Sequence, residues 1–131
     1  MRVVVDSALR NCNTGPSINQ AFCKGPATLN SIFNVLTRWR SYEKAMVYDL
    51  KKAYHSIKTT KKEVFTRLCV WKFKDDDPWM TFGHTVIGMG DQPATTFLEL
   101  TKGVAAEKGR HIDEHAADQL VKNSYVDDTV A

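Results

Sequence analysis

The segment Tyr125-Val126-Asp127-Asp128 puts two adjacent carboxylates within a predicted β-hairpin, and it is the feature that most constrains the fold. Apolar and turn-forming residues over 124–131 predict the hairpin, with the two acids at its tip. Adjacent carboxylates repel one another, and burying both is unfavourable unless a cation neutralises them. Divalent metal ions prefer oxygen ligands of this kind. The hairpin therefore requires a fold that brings a further acid beside it.

A third carboxylate, Asp49, ends a second predicted strand. Residues 43–49 are predicted to be that strand, and Leu50 continues its apolar pattern. Because strands that are distant in sequence can be neighbours in a sheet, Asp49 is expected to lie beside Asp127 and Asp128. The sequence thus predicts a site built from three carboxylates.

Length and composition indicate one domain without a membrane segment. The chain has 131 residues, of which 43% are hydrophobic and 25% are charged, and its net charge is only +3. No apolar run approaches the roughly 20 residues of a membrane helix, and the apolar stretch at the start is too short for a signal peptide. Three cysteines without paired spacing favour a reducing compartment. We expect an intracellular protein.

Strand and helix patterns alternate along the chain. Strands are predicted at 2–6, 43–49, 66–73 and 79–87, and 124–131 closes as the hairpin. Helices are predicted from Pro26 to about Trp39, after a capping box of Thr60 and Glu63, from Pro93 to about Glu107, and from Ile112 to Lys122. This order predicts an α+β fold in which helices cover one face of an antiparallel sheet in the ferredoxin-like manner.

Four segments in this order resemble the motifs of reverse transcriptases. Residues 47–57 resemble motif A, in which an aromatic follows the metal-binding Asp by five positions. Residues 85–93 resemble motif B, in which a Pro follows a Gly by five positions, and residues 125–128 resemble motif C. Residues 2–6 resemble the fingers strand that delivers an Arg to the incoming nucleotide. The intervening sequence is most similar to the Pao/BEL group of LTR retrotransposons. This resemblance implies a location in the cytoplasm or in a virus-like particle.

The resemblance implies two-metal nucleotidyl transfer from a dNTP to a primer 3′-hydroxyl. It implies two Mg²⁺ or Mn²⁺ ions bound by Asp49 and Asp127, with Asp128 in support and the Leu50 carbonyl as a further ligand. Such ions polarise the attacking hydroxyl and stabilise the leaving pyrophosphate. The three Asp residues are then catalytic.

The resemblance also assigns contacts with the substrates. Tyr54 is expected to lie under the sugar as a steric gate that favours deoxynucleotides. Tyr125 and Val126 are expected to contact an RNA or DNA template with its primer. The full set expected at the nucleotide is Arg2 and the backbone amides of Lys52 and Ala53 at its phosphates, Tyr54 at the sugar, and Ile87 and Gly88 beside it.

The resemblance divides the single domain into partial fingers at 1–42 and a palm at 43–131. The thumb, RNase H and integrase regions expected in a parent polyprotein have no counterpart in this sequence. Polymerases hold the primer-template largely through phosphate contacts spread over such regions. We therefore expect the isolated chain to be inactive in primer extension.

Two other functions stay open on the sequence. The chain could be a non-catalytic transposon remnant that binds nucleic acid or a partner. Alternatively, His111 and His115 fit the string H-x-x-E-H of a zinc hydrolase, in which two His one helical turn apart bind the metal. Five lysines after Asp49 could be a solvated face or could meet phosphates: Lys51, Lys52, Lys58, Lys61 and Lys62.

Overall fold

Helices and antiparallel strands are mixed in the structure, a computed structural model that describes residues 6–10, 15–26 and 28–131. The predicted α+β class is confirmed at this level. The helices are α1 (Ile18–Ala21), α2 (Ile32–Trp39), α3 (Lys61–Val64), α4 (Ala94–Gly109) and α5 (Glu114–Lys122). The strands are β1 (Val47–Asp49), β2 (Leu68–Trp71), β3 (Met80–Gly83), β4 (Ser124–Tyr125) and β5 (Asp128–Val130). The strand predicted at 2–6 lies almost entirely outside the described residues.

The sheet that carries the predicted acids has the strand order β1-β5-β4. β1 pairs antiparallel with β5, and the register sets Asp49 opposite Asp128. β4 and β5 form the predicted hairpin, with Tyr125 opposite Asp128. Two segments that are far apart in sequence thus meet at one end of this sheet, as the strand pattern predicted.

The hairpin of β2 and β3 forms a separate two-stranded sheet. A ferredoxin-like fold would join the strands in one sheet, whereas the described strands divide between two. β3 was predicted to run over 79–87 but ends at Gly83. A side chain at Gly83 would collide with Val64 of α3, so the glycine permits the hairpin to approach that helix closely.

Local capping chemistry sets several helix boundaries. Thr60 and Glu63 form the predicted capping box of α3, and Ser17 and Gln20 form an equivalent one for α1, a helix that was not predicted. The predicted start of α5 at Ile112 is wrong. Asp113 is the N-cap instead, because its carboxylate accepts a hydrogen bond from the Ala116 N–H.

The helix predicted from Pro26 begins later, at Ile32, and exposes much of its apolar stripe. Phe33 is 73% exposed and Ile32 is 50% exposed, whereas Val35 is buried. The segment nevertheless anchors the base of the β4–β5 hairpin. Asn30 donates a hydrogen bond to the Ser124 carbonyl at 3.0 Å, and Arg38 donates to the Asn123 side chain at 2.8 Å.

The hydrophobic core lies between the segment after β1 and the start of α4. Its buried members are Ala53, Tyr54, Ile87, Ala94 and Leu98, and Leu50, Ile57 and Val126 pack against them. Because Val126 belongs to the hairpin tip, this core fixes the tip against α4. Among the described residues, no helix has the length and apolar character needed to cross a membrane.

Candidate functional site

A cleft of about 450 Å³ opens where β1 and the β4–β5 hairpin end. Three segments supply its wall: the turn after β1, the hairpin tip and the loop before α4. The lining residues are Asp49, Leu50, Lys52, Ala53, Tyr54, His55, Met89 and Asp127. Five of the residues predicted for catalysis, metal or nucleotide binding in motif A therefore share one wall with Asp127 of motif C.

The turn after β1 is tight and is tied to the hairpin. The Leu50 N–H donates a hydrogen bond to the Asp127 carbonyl, and the Ala53 N–H donates to the Leu50 carbonyl, both at 3.0 Å. Lys52 has a φ of 58°, in the left-handed region that a side chain disfavours. The Ala53 amide predicted for the triphosphate is thus already engaged, whereas the Lys52 N–H has no acceptor among the described residues.

The hairpin tip holds Val126 in a strained backbone conformation. Val126 and Asp127 connect the paired residues Tyr125 and Asp128, and Val126 has a φ of 55°. Positive φ at the first connecting residue occurs in the type I′ and II′ turns of tight hairpins, which favour Gly or Asn there. In a β-branched residue this conformation costs about 1–3 kcal/mol, and such strain is concentrated at functional sites.

The three acids are close together, but they do not share one buried pocket. Asp49 and Asp127 line the cleft, whereas Asp128 lies opposite Asp49 in the strand register and is not part of the lining. Asp49 and Asp128 are exposed and Asp127 is half-buried, so the two hairpin acids are not buried together. Within the described ranges, no three His, Cys, Asp or Glu side chains form a ready-made metal cage.

Tyr54 belongs both to the core and to the cleft wall. It begins a short 3₁₀ turn, Tyr54–Ser56, and it is only 7% exposed. Burial raises the pKa of its phenol, a hydrogen bond with Thr95 opposes the rise, and the negative charges of Asp127 and Glu99 add to it. The ring is therefore fixed by packing, and its hydroxyl lies within electrostatic reach of Asp127.

The predicted motif B residues stand behind the cleft. Ile87 is buried in the core against Tyr54, and Gly88 lines a separate cavity of about 50 Å³. Among the described residues of this loop, Met89 lines the cleft. His55, from the turn after β1, lines it as well. Neither residue was predicted from the sequence to be in the site. The contacts of Ile87 and Gly88 with the nucleotide stay predictions. Arg2 lies outside the described residues.

A buried ion pair holds the loop that delivers Met89. Arg67 Nε lies 3.0 Å from Asp91 Oδ2, and both side chains are more than nine-tenths buried. Asp91 also accepts hydrogen bonds from the Ser7 hydroxyl at 2.7 Å and the Gly88 N–H at 3.1 Å. No local sequence pattern signals this network, because its members come from three separate segments.

The geometry removes the basis for the zinc alternative. His111 lies in the turn between α4 and α5, whereas His115 lies within α5. The intervening Asp113 is extended, so the two His are not one turn apart on a single helix. Both side chains are exposed.

Comparisons with models of protein families, with curated proteins and with solved structures found no match. The cleft lining includes two carboxylates, Asp49 and Asp127, together with Lys52 and the aromatic ring of Tyr54. Carboxylate oxygens are ligands that suit Mg²⁺ or Mn²⁺. The lysine adds a point charge that can attract phosphate.

Proposed function

We propose that the chain is the palm, with part of the fingers, of a reverse transcriptase from a Pao/BEL-like LTR retrotransposon. The parent protein would then carry out RNA-directed DNA synthesis. The supporting observation is that Asp49, Tyr54 and Asp127, which come from two motifs far apart in sequence, line a single cleft. The strained tip that carries Asp127 adds support, because strain of this kind is retained where function requires it.

The oxygen atoms in the cleft fit the proposed Mg²⁺ or Mn²⁺ ions. Mg²⁺ is commonly held by one or two carboxylates, with water and substrate phosphates completing its shell, so no all-protein cage is required. Asp49, Asp127 and the Leu50 carbonyl would hold the ions, and the exposed Asp128 would support them. When bound, two such ions would polarise a hydroxyl nucleophile and neutralise a triphosphate.

The positive groups near the cleft would receive the triphosphate and the nucleic acid. Lys52 lines the cleft, and Lys51, Lys58, Lys61 and Lys62 are exposed along the following segment. Exposed lysines attract phosphates over a distance set by the ionic strength. In the transfer step the primer 3′-hydroxyl would lose its proton to solvent and its oxygen would bond to the α-phosphorus. The bond between the α-phosphorus and the oxygen that bridges to the β-phosphorus would break, and pyrophosphate would leave.

Metal binding by the chain tests this proposal directly. Titration calorimetry with Mn²⁺ should detect weak binding, and Asp49→Asn or Asp127→Asn should weaken it by at least about 10-fold, because each removes a ligand. Asp76→Asn, which changes an exposed acid outside the cleft, is the matched control and should leave binding unchanged. Equal Mn²⁺ affinity in the parent and in the Asp49→Asn/Asp127→Asn double variant would show that the cleft is no metal site.

Sugar selection tests the role of Tyr54. With Mg²⁺ present, the chain should bind a dNTP more tightly than the matching rNTP, because the fixed ring occupies the space of a 2′-hydroxyl. Tyr54→Val should reduce this preference, whereas Tyr54→Phe, which keeps the ring, should retain it. Fluorescence competition with the two nucleotides measures the ratio. An unchanged ratio in Tyr54→Val would leave Tyr54 as a core residue only.

A further inference from the structure

A polar stripe on α4 faces the hairpin tip from within an otherwise apolar surface. Glu99 and Lys102 lie one turn apart on this stripe, close to the buried residues Leu98 and Ala106. Lys102 is only 4% exposed, and the Glu99 side chain is 10% exposed. A buried ammonium is unfavourable unless its charge and its hydrogen-bond donors are satisfied, so this lysine needs a specific explanation.

The Lys102 ammonium has one ion-pair partner and two hydrogen-bond partners. Its Nζ lies 2.7 Å from Glu99 Oε1, and it donates to the Ser124 hydroxyl at 2.8 Å and to the Val126 carbonyl at 2.7 Å. An ammonium group has three N–H donors and no acceptor, and the hairpin takes two of those donors. Glu99 supplies the countercharge from the same helix, whereas both other partners belong to the hairpin that carries Asp127.

The contact with Val126 bears directly on Asp127. The Val126 carbonyl belongs to the peptide unit that includes the Asp127 N–H, and a peptide unit is planar. A donor that holds the Val126 carbonyl therefore also fixes the orientation of the peptide plane that contains the Asp127 nitrogen. The same tip is held from its other side, because the Asp127 carbonyl accepts from the Leu50 N–H at 3.0 Å.

We infer that Lys102 is a positioning residue, which holds the hairpin tip in its left-handed conformation so that Asp127 faces the cleft beside Asp49. This inference rests on the proposed metal-binding function of that cleft. Lys102 does not line the cleft and acts through the Val126 peptide. Without its hydrogen bond the strained tip would have a lower-energy alternative in which Asp127 turns away.

Removal of the ammonium tests the inference. In Lys102→Met, Mn²⁺ affinity should fall by about 10-fold, the lower end of the effect expected for groups that orient metal ligands. Amide exchange at Leu50, followed by NMR, should accelerate by about 10-fold, because its acceptor is the Asp127 carbonyl. Exchange at Val70 in the β2–β3 hairpin should not change. The matched control is Lys108→Met, which removes an exposed lysine from the same helix.

A second variant covers the case in which Lys102→Met does not fold. Glu99→Gln/Lys102→Met leaves no uncompensated charge in the core and should fold, but it still deprives the Val126 carbonyl of its donor. Unchanged Mn²⁺ affinity and unchanged amide exchange at Leu50 in this folded variant would overturn the inference about Lys102. The proposed function would still stand if the parent chain binds Mn²⁺ and loses that binding in Asp49→Asn. If the parent binds no Mn²⁺, the proposed function fails, and Leu50 exchange still decides whether Lys102 holds the tip.

Discussion

The strain at Val126 predicts that glycine is a better residue than alanine at this position. A left-handed conformation costs a residue with a side chain about 1–2 kcal/mol, and glycine avoids that cost. Glycine loses about 0.5–1 kcal/mol through its greater freedom in the unfolded chain. With a φ of 55° at Val126, Val126→Gly should therefore be about 0.5–1 kcal/mol more stable than Val126→Ala. Urea unfolding of the two variants measures the difference.

Val130 provides the matched control within the same hairpin. It lies in β5 and is 8% exposed, and glycine is normally the less stable residue within a strand. Val130→Gly should therefore be about 0.5–1 kcal/mol less stable than Val130→Ala. The opposite signs at the two positions isolate the strain. If glycine is also the less stable residue at position 126, the tip is unstrained and the reasoning fails.

Three further predictions concern buried or paired groups. Burial raises the pKa of Tyr54 above its ordinary value of 10.0, so the unfolded chain releases this proton at a lower pH than the folded chain. Stability should therefore fall as pH rises above 10.0. Ultraviolet titration should show one phenol that ionises at higher pH than the others, and Tyr54→Phe should remove it. Hydrogen bonds, the strongest from Lys122, lower the pKa of Asp118 from 3.8 to about 2. Asp118→Asn should thus lower the free energy of unfolding at neutral pH. Urea unfolding of the parent and the variant at several pH values should show this stability difference disappearing as pH falls from 3.8 towards 2. A stability difference that does not change with pH would contradict the pairing. Asp91→Asn should cost about 3–5 kcal/mol in urea unfolding, because it leaves the Arg67 guanidinium buried without its countercharge. Arg67→Met/Asp91→Asn, which also removes that charge, should recover most of this loss.

Features set by local chemistry could be predicted from the sequence. The predicted hairpin is present, with Asp127 at its tip and Asp128 at the start of β5. Thr60 and Glu63 form the predicted capping box of α3. Pro93 precedes α4 as predicted, although the helix runs on to Gly109. Each of these features depends on residues within a few positions of one another. The capping box of Ser17 and Gln20 had the same kind of signal and was missed.

Features that depend on burial could not be predicted in this way. Charged residues such as Lys102 and Asp91 are normally exposed, yet both are buried here. Several of their partners come from distant parts of the chain, and the residues next to them in sequence do not indicate those partners. The apolar stripe of α2 has the correct helical period, but period alone does not say whether another element covers it. The same limit applies to Met89, whose place in the cleft depends on the Arg67–Asp91 ion pair.

The pairing of β1 with β5 makes the cleft a late product of folding. The β2–β3 and β4–β5 hairpins join neighbouring segments, whereas bringing Asp49 opposite Asp128 closes a loop of about 80 residues. Contacts of such long range are entropically unfavourable until much of the chain is ordered, and they slow folding. During synthesis on the ribosome, Asp49 must wait for the last strand of this sheet to emerge. The proposed metal site would then form only when the chain reaches its native topology, and a stalled or partly folded chain would expose its hairpins without bringing the proposed metal ligands together.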